Sequence, residues 1–237
     1  MSMNTMNIVA VTTSLSEDST TLKLANRILG QAASAGESVG IDVTTDVINV
    51  RSLATALTDM TLTGFRAEAL EAACATIAAA DAIVTVAPVY KAAPVGLHTL
   101  FWQLIDEKAL ARKPVLIAST GGTARHSLAG DAVLRPMLSY LKGIVVPTTV
   151  FAATDDWGTV EGGRALSTRI RQAGEELVSL SATIIGVGND DLAEVVDPET
   201  QASAGSGSSR GAASGSRRIV DEFDPANVTP FAQLLEG

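Results

Sequence analysis

The stretch Ile8-Val9-Ala10-Val11-Thr12-Thr13-Ser14-Leu15-Ser16-Glu17-Asp18-Ser19-Thr20-Thr21-Leu22 decides how the rest of the chain is read. It opens on an apolar run of strand character and then packs seven hydroxyl side chains into the ten residues 12–21. A helical pattern follows at once, with Leu22, Ala25, Ile28, Leu29 and Ala32 on one face. A strand, a hydroxyl-rich loop and a helix N-terminus in that order make an anion site. The first N–H groups of a helix lack intrahelical partners. The helix dipole is positive at that end. Ser and Thr hydroxyls add neutral donors, so a phosphate is held there without Arg or Lys. Plain N-capping is the competing reading, but a cap uses one or two hydroxyls rather than seven.

Outward from this stretch, apolar strand-like runs alternate with helical patterns. Strands are expected at 7–11, 41–48, 82–87 and 114–118, with a last one over 144–151 interrupted by Pro147. The second mixes polar and apolar residues, as a half-exposed edge strand does. The third and fourth are almost wholly apolar, as central parallel strands are. Helices are expected over 19–35, stopping at Gly36, and over 52–57, 65–80, 124–141 and 160–183, with another opening at Pro94. Pro88 is expected to end the third strand. Such alternation gives a parallel, doubly wound α/β sheet.

At 237 residues, 46% of them apolar and with a mean hydropathy of +0.27, the chain supports one sizeable core. Aromatics make up only 4%, so that core is mostly Ala, Val, Leu and Ile. The net charge is −9, and the nine acidic and three basic residues of 190–237 account for six of those charges. An acidic chain without a basic face excludes nucleic acid and anionic membrane as partners. The single cysteine, Cys74, excludes an intrachain disulfide and a cysteine-rich zinc site, and reads as a small buried thiol. Residues 1–6 carry no basic-then-apolar leader, and no run approaches membrane-spanning length, so a cytoplasmic location is expected. Residues 202–216 are nearly all Ser, Gly and Ala, which cannot offset their ordering entropy by burial. The expected division is a ligand-binding domain over 1–188, a flexible linker over 189–218, and a short apolar segment over 219–237 that is a candidate docking element.

In an open α/β sheet, ligands sit beyond the carboxyl ends of the strands, where strand order reverses. Three loops follow three expected strands. The hydroxyl loop holds a phosphate. The loop Pro88-Val89-Tyr90-Lys91-Ala92-Ala93 offers an aromatic ring and backbone N–H groups. The loop Ser119-Thr120-Gly121-Gly122-Thr123 lets backbone approach a flat ligand without a Cβ between them. Each has an ordinary structural alternative, and it is their joint placement that suits a mononucleotide with a planar ring, FMN above all. There is no G-x-G-x-x-G after the first strand, no G-x-x-x-x-G-K and no G-x-S-x-G, which disfavours dinucleotide folds, triphosphatases and α/β-hydrolases. His98 lies in a helical run and reads as a packing residue, whereas His126 is placed four residues beyond the Gly-Gly turn, within reach of the pocket. Asp155-Asp156 is open to two readings: a metal or acid–base pair, or a solvated loop.

The same three loops resemble the NAD(P)H-dependent FMN reductases. The matching pieces are Ser14-Leu15-Ser16 with Ser19-Thr20-Thr21, then Thr85-Val86-Ala87-Pro88-Val89-Tyr90-Lys91-Ala92, then Ala118-Ser119-Thr120-Gly121-Gly122-Thr123-Ala124-Arg125-His126 and Asp131-Ala132-Val133-Leu134-Arg135-Pro136-Met137-Leu138. The resemblance covers about 7–180. It implies a flavodoxin-like α/β fold, a five-stranded parallel sheet of order 2-1-3-4-5 with helices on both faces. It implies hydride transfer from NADPH (or NADH) to the flavin N5 of FMN. Ser14, Ser16, Ser19, Thr20 and Thr21 would hold the phosphate. Pro88, Val89, Tyr90, Lys91, Gly121, Gly122 and Thr123 would border the ring, with His126 nearby. No residue would act as acid or base and no metal would bind, because the cofactor carries the chemistry. The resemblance also implies a homodimer or higher homo-oligomer, supplying reduced flavin to a two-component monooxygenase, with the subgroup paired with luciferase-like flavin monooxygenases most similar. A flavodoxin-type FMN electron carrier and a quinone or azo reductase are the alternatives on this scaffold. The chain departs from relatives with a basic residue in the phosphate loop by carrying Glu17-Asp18 there.

Overall fold

The computed structural model describes residues 4–14 and 19–186. Ser16, the Glu17-Asp18 pair, the linker expected over 189–218 and the apolar segment over 219–237 lie outside the described residues.

β1 (Asn4–Thr12) leads into α1 (Thr20–Ser38) and edge strand β2 (Ile41–Asn49). A 3-10 turn (Val50–Leu53), α2 (Ala54–Thr63) and α3 (Glu68–Ala79) return the chain to β3 (Ala82–Tyr90). The two-residue β4 (Ala93–Pro94) and α4 (Gly96–Leu104) precede β5 (Pro114–Gly121). A 3-10 turn (Ala124–His126), α5 (Ala129–Tyr140), β6 (Ile144–Val145), β7 (Val150–Ala153), α6 (Asp155–Gly158) and α7 (Val160–Ile184) complete it. The fold is a flavodoxin-like α/β sandwich. Strands β2-β1-β3-β5-β6 pair in that order, all in parallel. Even-numbered β1 side chains (Met6, Ile8, Ala10) pack under α1 and α7, while Val9 and Val11 face the helices of the opposite side. β3 and β5 are buried on both faces and β2 is half exposed, as their apolar patterns require.

The sheet differs from five simple strands in two places. Pro147 splits the last position into β6 and β7, which pair in succession with β5. Beyond Val86, the last residue of β3 that pairs with β1, β4 folds back antiparallel onto Val89 and Tyr90. Pro88 therefore does not end β3. Its carbonyl accepts the Val95 N–H (2.9 Å) on the side that β1 has vacated. A residue's N–H and C=O point to one side of a strand, so the missing N–H forfeits no bond to β5. Pro94 sits in β4 rather than opening a helix, and α4 begins at Gly96. The helix expected over 124–141 breaks, because the Thr123 hydroxyl accepts from Arg125 N (3.3 Å) and stabilises a local turn instead. Cys74 is half-buried rather than buried, with burial pushing its thiol pKa up.

Helix α1 does not stop at Gly36. It runs to Ser38, and the left-handed residue beyond it is Gly40 (φ 76°). Gly36 has a different reason to be glycine: a Cβ there would collide with Val43 Cγ2 and lie 3.1 Å from the Ile41 carbonyl. Gly36→Ala is expected to destabilise the fold by about 1–2 kcal/mol, overpacking outweighing the gain in helix propensity. Urea unfolding checks this, and a stabilised variant would show that β2 shifts freely on α1.

Candidate functional site

At the carboxyl edge of β1, β3 and β5, a cleft of about 520 Å³ is walled by Ser19, Thr20 and Thr21, by Pro88, Val89 and Tyr90, and by Thr120, Gly121 and Gly122. Ala152, Thr154 and Trp157 close it from β7 and α6. This lies at the switch point, since β2 and β3 flank β1 on opposite sides. Its volume is in the range of small-molecule sites. Of the residues expected from the sequence, Ser19, Thr20, Thr21, Pro88, Val89, Tyr90, Gly121 and Gly122 meet on one surface. Ser14, Lys91, Thr123 and His126 are not among its walls. Ser14 is buried, its N–H donating to Asn49 Oδ1 (3.3 Å). His126 is half-buried in the turn after Gly122.

The hydroxyls of the opening stretch divide among several tasks. Ser19 caps α1, its Oγ accepting from the N–H groups of Thr21 (3.2 Å) and Leu22 (3.4 Å). Its own hydroxyl proton is left to donate into the cleft. Thr20 is exposed. Thr21 Oγ1 meets Thr120 Oγ1 at 2.9 Å, which ties the helix start to β5. Thr12 Oγ1 is fully buried with no partner. Among the described lining residues there is no Lys or Arg. The N-terminus of a helix plus neutral hydroxyls fits a phosphate monoester, held by oriented dipoles rather than by a countercharge.

The ring side is built by a two-residue hairpin. Lys91 (φ 51°) and Ala92 (φ 66°) both occupy left-handed conformations between Tyr90 and Ala93. Such turns favour Asn-Gly, and each non-glycine residue costs about 1 kcal/mol. Opposite them, the two glycines have different grounds. A Cβ at Gly121 would lie 2.8 Å from Phe151 Cζ, in the small cluster of Val89, Ala129, Phe151 and Ala153 that backs the wall. A Cβ at Gly122 would meet nothing within 4 Å. No protein neighbour demands glycine at 122, which fits space kept for a planar ligand.

Thr120 falls in the third ligand loop, but no local pattern marks its side chain, or Trp157, as a wall of the cleft. Trp157 is half-buried in α6, with the Arg27 guanidinium of α1 over its ring at 5.4 Å, and Arg27 is fixed to Ser167 Oγ at 2.8 Å. An aromatic beside two carboxylates could have flagged it. Of those carboxylates, Asp156 Oδ2 accepts the Ala153 N–H (2.7 Å), a structural role. No group of metal-ligating side chains occurs among the described residues.

His98 is no ordinary packing residue. It is fully buried on α4, with Nδ1 2.8 Å from Thr13 Oγ1 and Nε2 2.7 Å from Thr85 Oγ1. Trp102 Nε1–H lies 3.1 Å from both Thr85 Oγ1 and His98 Nε2. An indole nitrogen only donates, and the Trp102 N–H shared between Thr85 Oγ1 and Nε2 favours the tautomer with the imidazole proton on Nδ1, toward Thr13. Burial pushes the imidazole pKa down to about 3.

A cleft at the switch point of a flavodoxin-like sheet, with a helix N-terminus and neutral hydroxyls on one wall, is one that a mononucleotide fits. The comparisons narrow this. The NADPH-dependent FMN reductase family model matches residues 6–158. The chain is 32% identical to the NADH-dependent FMN reductase SfnE of Pseudomonas putida, over 74% of this chain and 92% of that protein. It is 36% identical to FMN reductase (NADPH) of Pseudomonas aeruginosa, over 73% of this chain and 91% of that protein. An oxidoreductase structure from Corynebacterium diphtheriae superposes with a TM-score of 0.72 at 36% identity, covering 76% of this chain and 98% of that one. The chain belongs to the NADPH-dependent FMN reductase family.

Two expected outcomes follow from this geometry. Gly122→Ala leaves the melting temperature unchanged and weakens FMN binding, while Gly121→Ala lowers stability by about 1–3 kcal/mol through Phe151; the reverse pattern in paired thermal melts and FMN titrations would exchange the two roles. The second concerns pH. The unfolded imidazole titrates near 6.5 and the folded one near 3. Above the higher value both are neutral. Between the two, only the unfolded chain takes up the proton, so stability falls as pH drops, by about 2 kcal/mol at pH 5, and the loss levels off below about 3. Urea unfolding across this range checks it, with His98→Asn removing this share of the slope.

Proposed function

We propose that the cleft is the FMN site of this NAD(P)H:FMN oxidoreductase. The observation that carries the reading is the meeting of Ser19–Thr21, Pro88–Tyr90 and Gly121–Gly122, from three separate strand ends, on one surface. The enzyme is an NAD(P)H-dependent FMN reductase by family, with FMN and NAD(P)H as cofactors. Bound FMN supplies the hydride acceptor, at N5 in this reading. The chain's own residues bind and orient. The Ser19 and Thr20 hydroxyls, at the positive end of the α1 dipole, hold the phosphate. The backbone around Val89, Tyr90 and Gly122 borders the ring and leaves one face to the nicotinamide. Lys91, Thr123 and His126 lie on the ring loops outside the cleft walls, and Ser14 is buried at the start of the phosphate loop.

The product goes, in this reading, to a flavin-dependent monooxygenase. The absence of Lys and Arg from the described walls supports it. A site that holds a dianion by neutral donors alone lets flavin exchange, as a supplier of reduced flavin must. A homo-oligomer is supported by exposed apolar side chains along α5, Val133 and Tyr140, with Leu128 just before it.

Oxidation of NADPH and NADH with FMN, FAD and riboflavin tests the reading. Many turnovers per protein are expected with excess FMN, and far fewer with riboflavin, which lacks the phosphate. An electron carrier that keeps its flavin would oxidise about one equivalent and stop. Ser19→Ala combined with Thr20→Ala is expected to raise the FMN Kd on the order of 10- to 100-fold. An unchanged Kd would remove the phosphate assignment.

A further inference from the structure

We infer that His98 is a positioning residue for FMN: buried between Thr13 and Thr85, it sets the spacing between the phosphate loop and the ring loop. This rests on the FMN reading of the cleft and goes beyond it, since His98 lines no part of the cleft.

Thr13 follows directly on β1 and begins the phosphate loop. Thr85 lies on β3, three residues before Pro88. The two strands are neighbours at the switch point, with Val11 opposite Thr85 and Thr12 opposite Val86. Backbone pairing between them ends there, with Thr13 N–H reaching Val86 O at a long 3.3 Å. Side-chain hydrogen bonds also hold Thr13 and Ser14 there. His98 reaches both sides at once, Nδ1 hydrogen-bonded to Thr13 Oγ1 and Nε2 to Thr85 Oγ1; in the tautomer that Trp102 favours, Nδ1–H donates and Nε2 accepts. It is carried by α4, the helix that follows the ring loop. Asn49 Oδ1, accepting from Ser14 N–H, secures the next residue from the β2 side.

The arrangement is rigid for a physical reason. All three side chains are fully buried, and Trp102 Nε1–H favours one tautomer. Neither contact has water to replace it, so losing one leaves a buried polar group unpaired. The Thr13 contact governs the loop stem, while the Thr85 and Trp102 contacts tie α4 to β3. A ligand spanning both loops is sensitive to the first contact in a way that overall stability is not, because displacement of about 1 Å at a binding group costs far more than its contact energy.

Two partial isosteres separate the contacts. The Asn amide occupies the place of Nδ1 and still donates to Thr13. The Gln amide occupies the place of Nε2 and still accepts from Thr85 and Trp102. FMN Kd is read by flavin fluorescence quenching on the apoprotein, beside the melting temperature of each variant. His98→Asn is expected to bind FMN within about 3-fold of wild type despite a lower melting temperature. His98→Gln is expected to bind about 10-fold more weakly. Thr13→Val, a smaller change, is expected to reproduce the His98→Gln weakening and to add nothing when combined with it. Equal FMN affinity in His98→Gln, Thr13→Val and wild type would overturn the inference. So would a loss of affinity that simply follows melting temperature across the three variants. If His98→Gln fails to fold, Thr13→Val decides alone. Wild-type protein that does not quench FMN fluorescence would instead bring down the cleft assignment.

Discussion

Everything at the site depends on the parallel ladder β1-β3-β5 and on where it stops. These strands are buried on both faces, so each is held by its neighbours and by helices above and below. β1 pairs with β3 only as far as Val86, while β5 pairs with β3 to Pro88 and with β7 to Ala153. The staggered ends leave a step at the sheet edge. α1 starts on one side of that step, the Lys91-Ala92 hairpin fills part of it, and the cleft is the remainder. Shifting one strand by a residue would turn Thr13 from His98 toward α1 and send Thr12 the other way. The register fixes which hydroxyl faces the cleft side of the sheet and which faces α4.

Much of this was legible in the chain, for identifiable reasons. Apolar runs flanked by helical periodicity gave the strands, because a doubly buried strand has no polar option. Hydroxyls at a helix start and glycines after a strand gave two cleft walls. Pro88 misled because a proline inside a strand is tolerated only when the neighbour on its N–H side has already ended, a tertiary fact. Gly36 misled similarly: its terminator-like position hides a packing demand from Val43. Trp157 was missed since its place depends on how β7 and α6 return to α1. His98 was read as packing, and it does pack. Its two ring nitrogens find partners 85 and 13 residues away, which no local pattern records.

Among the described residues, the walls of the cleft carry neutral donors and no Lys or Arg. Oriented N–H groups and hydroxyls favour a dianion without the deep well that a buried guanidinium provides. Arg27 illustrates the alternative not taken. It stands two turns along α1, but its guanidinium lies over Trp157 and bonds to Ser167, serving the wall rather than the ligand. In the function proposed above the flavin leaves reduced and is replaced, and a shallow well suits that exchange.

The hairpin carries the last step. Lys91 and Ala92 hold left-handed backbone at a cost that Asn-Gly would largely avoid. Strain of this kind persists only where surroundings over-determine it. Here they do: Tyr90 and Ala93 pair across the turn, Val95 N–H bonds to Pro88 O, and buried Pro94 anchors the return. A more permissive Gly would relieve the turn but also widen the conformations open to Tyr90, which walls the cleft while half its surface stays exposed (53%). A turn with side chains at both central positions gives up some stability and keeps that aromatic edge in one place. The same logic runs through His98, buried where an apolar residue would pack more cheaply: both positions trade folding stability for a fixed distance between the two ends of a ligand.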